Sequence, residues 1–137
     1  CITLQSKKEI VSSLIFDHIK DEMFFAEKNK GCHLNNQRLR VSKKNVIDDC
    51  LFSSNDDGVR FSNFNMRYTG CAALDLAYVA AGRFDRFFHN DINIWDVAAG
   101  TLMVQEAGGI VNDINKFNNN AINIRASSDG INDKMLK

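Results

Sequence analysis

Apolar and polar positions alternate at the start of the chain, and the period changes further on. Residues 2–6 alternate in part, as a half-buried strand does. A polar turn at 6–9 leads into 10–19, a long apolar run rich in β-branched residues. Lys20, Asp21 and Glu22 form a second turn before a strand at 23–26. Turns this short join antiparallel neighbours, so a β-meander is expected. Residues 27–41 are polar, contain Gly31 and Asn35-Asn36, and read as a loop with a short strand at 37–41.

Beyond residue 42 a short strand is expected at 49–53 and a loop at 55–58. Residues 59–69 carry Phe61, Phe64 and Tyr68 without a clear period. Residues 71–82 are rich in Ala, hold no interior Gly or Pro, and stop at Gly82, which predicts a helix. A strand follows at 84–88 and a second helix at 94–107, closed by Gly108-Gly109. Ile110-Val111 starts a strand, 112–120 holds a polar turn that includes Asn118, Asn119 and Asn120, and 121–126 is the last strand. Residues 130–137 open a helix. Helices alternating with strands predict an α/β layered arrangement in which helices cover a sheet.

With 137 residues there is room for one domain, and 45% hydrophobic residues supply a real core. Lys+Arg and Asp+Glu are both 17, and zero net charge argues against a nucleic-acid groove or a membrane-binding patch. No apolar run is long enough to span a bilayer, so a cytoplasmic protein is expected. Cys1, Cys32, Cys50 and Cys71 lie far apart and read as reduced thiols, neither a zinc site nor a disulfide framework. The chain opens on Cys1 and closes inside an expected helix at Lys137, so a piece of a longer protein is expected.

Two segments carry candidate chemistry. Trp95-Asp96-Val97-Ala98-Ala99-Gly100 starts a helix that is apolar or small almost all round, so it is buried on most sides. Asp96 in its first turn is either an ordinary cap or an acidic ligand at the mouth of a site, with Trp95 a packing anchor in both cases. Gly70-Cys71-Ala72-Ala73 opens the other helix, and its backbone amides suit an anion or a hydroxyl-rich ligand, unless the turn only packs. Asp75, inside that helix, is expected to pair with a buried partner in a structural role. His18, His33 and His89 have no metal-binding spacing. Asp17 beside His18, together with Asp21 and Glu22, reads as a solvated acidic turn; Asp56-Asp57 reads the same way, and Lys7-Lys8 and Lys43-Lys44 as solvated charges.

Together these segments resemble the inositol monophosphatase family, specifically its C-terminal half. Trp95-Asp96-x-Ala98-Ala99-Gly100 with Glu106-Ala107-Gly108-Gly109 is similar to the family's second signature. Arg67-x-x-Gly70-x-Ala72-Ala73-Leu74-Asp75 through Gly82-Arg83-x-Asp85 resembles the segment before it. Gly31 to Leu39 resembles its hairpin loop, and Ile124-Arg125-Ala126-Ser127 its last strand.

The resemblance implies α/β (α+β) layers of helix and sheet, here an incomplete half: a β-meander at 1–41 that belongs to an N-terminal sheet, and a C-terminal α/β domain at 42–137. It implies a Mg²⁺-dependent phosphomonoesterase, lithium-sensitive in many members, that hydrolyses inositol or a related sugar phosphate with metal-activated water. Asp96 then corresponds to a metal ligand that also meets substrate hydroxyls, and Gly70, Cys71 and Ala72 to the loop against the polyol ring. His89 stands where inositol-type enzymes often carry a Glu that contacts those hydroxyls. Arg67 corresponds to a position near the site and the dimer contact, and the intact protein is expected to be a homodimer. Asp75 and Asp85 stay structural. The family's phosphate-cradling D-P-x-D-G-T loop and its other metal carboxylates do not occur in this sequence. One carboxylate cannot hold a Mg²⁺ pair, so this chain alone is expected to be inactive and to expose an apolar sheet face or edge. The stretch 55–67 looks short for the helix the family places there. The rival reading is a non-catalytic remnant or binding subunit.

Overall fold

The structure is a computed structural model; it describes residues 1–55, 63–116, 121–128 and 130–131, and for 113–116 the backbone only. The expectations for Asp56, Asp57, Phe61, the 118–120 turn and the helix beyond Ile131 lie outside the described residues, as does much of the 55–67 stretch.

Strands β1 (Ile2–Ser6), β2 (Glu9–Asp17), β3 (Glu22–Glu27), β4 (Gly31–Leu34) and β5 (Gln37–Arg38) form one antiparallel sheet in chain order. The expected strand at 10–19 stops early because the Asp17 carboxylate accepts the N–H groups of Ile19 at 3.1 Å and Lys20 at 3.4 Å, closing a local turn. Asp17 is therefore buried rather than solvated beside His18, and Glu22 is gripped by Arg83 through two hydrogen bonds of 2.8 and 2.6 Å. Residues 31–34 pair with β3 instead of forming a loop, because Cys32 opposite Ala26 fills the core.

The second sheet holds β6 (Leu51–Ser53), β7 (Asn65–Arg67), β8 (Arg86–Asn93), β9 (Ile110–Lys116) and β10 (Ala121–Ser127), in the order β7-β6-β8-β10-β9. Pairing is parallel from β7 to β8 and antiparallel from β8 to β9. β8 runs past the expected 84–88 to Asn93, and β9 continues through the polar residues expected to turn. β9 is an edge strand, where polar residues are tolerated. Lys44 is also not a free charge: its ammonium lies 3.2 Å from Asp85 Oδ2, which accepts the Leu51 N–H at 2.7 Å as well.

Helices α1 (Ala72–Ala80) and α2 (Ile94–Glu106) lie between the sheets. Cys50, Phe52 and Ile131 form a small hydrophobic cluster of their own. One large cluster runs from Ile15 and Phe24 through Leu76 and Val104 to Phe87 and Ile124, so the layers share a main core. That accounts for the all-round apolar character of α2, which packs against β2, β3 and β4 on one side and β8, β9 and β10 on the other. At its C-terminal end the Glu106 carboxylate accepts the N–H groups of Asn29 at 2.8 Å and Gly31 at 2.9 Å, tying the helix to the β3–β4 turn. No helix among the described residues is long and apolar enough to cross a membrane.

The first sheet is apolar on both faces. Ile15, Phe24, Ala26 and Cys32 point into the core. On the other face Ile2 is 69% exposed, Leu4 60%, Phe16 51% and Met23 42%. A sheet that meets water on one side normally alternates apolar with polar residues, and this one does not.

Candidate substrate site at two helix starts

Both helices begin at the same end of the layer between the sheets. Leu76 meets Gly100 deeper along the helices, while Ala72 and Asp96 line one cavity at their starts. The pairs keep step, so the helices run in the same sense and present their N-terminal ends, the positive ends of their dipoles, to one place.

The cavity there has a volume of about 360 Å³. Gly70, Cys71, Ala72, His89 and Asp96 all line it, although they come from a turn, a helix start, a strand and a second helix. Asn55, Ala73, Ile92 and Cys1 complete the wall, and Asn55 carried no sequence signal. A larger groove of about 490 Å³ runs alongside, between β1, β2 and α2. Its walls are mostly aliphatic and aromatic, whereas the smaller cavity brings together Asn55, His89 and Asp96. Trp95 lines that groove and is 59% exposed, which corrects the expectation of a packing anchor. Arg67 is exposed on β7, outside the cavity wall.

Asp96 is exposed and is the third residue of α2, whose N-cap is Asn93. Among the described residues no hydrogen bond reaches its carboxylate, so it does not act as a cap. His89 Nδ1 lies 2.6 Å from the carbonyl oxygen of Asn90. A carbonyl only accepts, so Nδ1 carries a proton, and Nε2 is the ring nitrogen left to face the cavity's ligand.

The Gly70 turn differs from its expected form. The Gly70 N–H donates to Asn55 Oδ1 at 2.7 Å and the Cys71 N–H to Thr69 Oγ1 at 3.2 Å, so these amides are already occupied. The next two are not: the N–H groups of Ala72 and Ala73 meet no acceptor among the described residues, as is usual in a first helical turn. Asp75 is fully buried, and its partners are neutral rather than cationic: Thr69 Oγ1 donates to Oδ1 at 2.6 Å and Asn55 Nδ2 to Oδ2 at 2.9 Å. Burial raises the pKa of this carboxyl, and the two hydrogen bonds oppose that shift. Burial also pushes the Cys32 thiol up to about 12, so it is inert.

Among the described residues no three His, Cys, Asp or Glu side chains converge to hold a metal ion. Mg²⁺ takes about six oxygen ligands. Asp96 offers one carboxylate, so the described residues do not by themselves fit a Mg²⁺ site.

The model of the inositol monophosphatase family matches residues 1–136. An inositol-1-monophosphatase of Rhizobium meliloti is 37% identical over 123 residues, covering 79% of this chain and 46% of that protein. The Nus factor SuhB of Escherichia coli is 39% identical over 127 residues, covering 82% of this chain and 48% of that protein. The crystal structure of the extragenic suppressor protein suhB from Bartonella henselae superposes with a TM-score of 0.86 at 40% identity, over 96% of this chain and 59% of that one. The chain therefore spans roughly half the length of the curated relatives it matches.

Proposed function

We propose, because the chain belongs to the inositol monophosphatase family, that it supplies the polyol-facing wall of a phosphomonoesterase site for inositol or a related sugar phosphate. One observation carries this reading: Gly70, Cys71, Ala72, His89 and Asp96, drawn from four separate elements, line a single cavity.

Each wall group has a task in that site. The free amides of Ala72 and Ala73 at the start of α1 donate to a hydroxyl or an anionic oxygen. His89 Nε2 meets a substrate hydroxyl, and an imidazole, unlike a Glu in its place, adds no negative charge beside Asp96. The Asp96 carboxylate accepts further hydroxyl hydrogens and serves as one oxygen ligand of a divalent cation, Mg²⁺ on the chemistry of hard oxygen donors. The remaining ligands come from a segment outside this chain, which also covers the outer face of the β1–β5 sheet. The chain alone is then inactive.

The reading is tested by titrating the isotope-labelled chain with myo-inositol 1-phosphate. Shifts confined to the amides of Ala72 and Ala73 and the ring of His89 are expected, and shifts elsewhere or none contradict it. A second reading, a binding subunit without catalysis, draws support from the relatives called Nus factor SuhB. Phosphate release from myo-inositol 1-phosphate, once the segment outside this chain is supplied, separates the two.

A further inference from the structure

Asp75 does not line the cavity, yet the turn that does hangs from it. Its Oδ1 accepts from Thr69, whose oxygen in turn accepts the Cys71 N–H. Its Oδ2 accepts from the side-chain amide of Asn55, whose oxygen accepts the Gly70 N–H. The two arms close on consecutive amides of one turn. That turn needs holding, because Gly70 has φ +79° and its α-carbon faces open space, with no atom within 4 Å of where a Cβ would be. Among the described residues nothing packs against it there to fix its conformation.

A Leu at position 75 has the same branching at Cγ and would avoid the cost of burying a carboxylate. Packing alone therefore does not explain the group, whereas two acceptors at fixed separation do. A carboxylate is the side chain that offers two acceptors and no donor.

We propose that Asp75 is a positioning residue for the cavity: through Thr69 and Asn55 it fixes the Gly70 turn so that the free amides of Ala72 and Ala73 face the ligand. The identity of that ligand as a phosphorylated polyol rests on the reading above; the positioning itself does not. Asp75→Ala removes both acceptors. Asp75→Asn keeps an acceptor for Asn55 and turns an NH₂ group toward Thr69 Oγ1, which then accepts.

The test is amide hydrogen exchange in the full chain, combined with titration by myo-inositol 1-phosphate. Asp75→Ala is expected to speed exchange at Gly70 and Cys71 about tenfold, the equivalent of one net hydrogen bond. The Ala81 and Ala107 amides, at the far ends of the helices, keep their rates, and the affinity for the probe falls by a similar factor. Asp75→Asn recovers most of both, which a role for charge alone does not allow. Should Asp75→Ala fail to fold, Asn55→Ala breaks one arm from outside the core and is expected to loosen Gly70 in the same way. Unchanged exchange at Gly70, or a loosened turn with unchanged probe affinity, overturns the proposal. If the unsubstituted chain does not bind the probe, the polyol-phosphate reading fails and the exchange rates alone decide for or against Asp75.

Discussion

A Cβ placed on Gly100 would lie 2.3 Å from the Cβ of Leu76 and 2.7 Å from its Cδ1. The two helices can touch this closely only because α2 has no side chain at that point, and the contact brings their first turns to one cavity. Ala is the better helix former by about 1 kcal/mol, yet overpacking a core costs about 1–3 kcal/mol. Gly100→Ala is therefore expected to lose about 1 kcal/mol net, with the Cβ–Cβ clash dominating. A urea melt measures it, and a variant as stable as the unsubstituted chain would contradict the close approach.

The outer face of the first sheet sets a second expectation. Ile2, Leu4, Phe16 and Met23 form an apolar surface that the described residues leave exposed. Surfaces of this kind drive self-association. Phe16→Lys removes part of that surface and is expected to shift the chain toward monomer in size-exclusion chromatography, with stability changed by no more than about 0.5 kcal/mol. An unsubstituted chain that runs as a monomer at every dilution argues against the face as an interface.

Asp75 gives a pH dependence whose sign follows from burial. Its folded-state pKa is raised chiefly by desolvation. A group shifted in this direction contributes stability below its unfolded pKa and loses it as pH rises through the folded value. Asp75→Asn does not titrate, so its stability relative to the unsubstituted chain is expected to improve from acid toward neutral pH. Urea midpoints across that range measure the difference. A relative stability of Asp75→Asn that instead worsens toward neutral pH would mean that the two hydrogen bonds outweigh desolvation.

Much of this architecture was legible in the residues. Alanine content and the stops at Gly82 and Gly108 announced both helices, and the short turns announced the meander. The cavity residues were legible only through the resemblance, since no spacing rule joins Gly70, His89 and Asp96. Other features were hidden for physical reasons. β4 is four residues long and flanked by polar turns, so its pattern is too short to read. β9 carries Asn and Asp because an edge strand tolerates them. The closure of the Gly70 and Cys71 amides depends on Asn55 and Thr69, and Asn55 lies in a different loop. Asp17 and Lys44 looked like solvent-facing charges, but a local turn claims Asp17 and the distant Asp85 claims Lys44.

The most direct test of the account joins this chain to the part of the Rhizobium meliloti relative that it does not span, and measures phosphate release from myo-inositol 1-phosphate with Mg²⁺. The account predicts turnover by the joined protein, a loss of about a hundredfold or more on Asp96→Asn, on the scale of removing one group that acts at the reacting centre, and none from this chain alone. Turnover by this chain alone that Asp96→Asn abolishes would show that it holds a complete metal site. A folded joined protein with no turnover, or one indifferent to Asp96→Asn, would contradict the role assigned to the cavity.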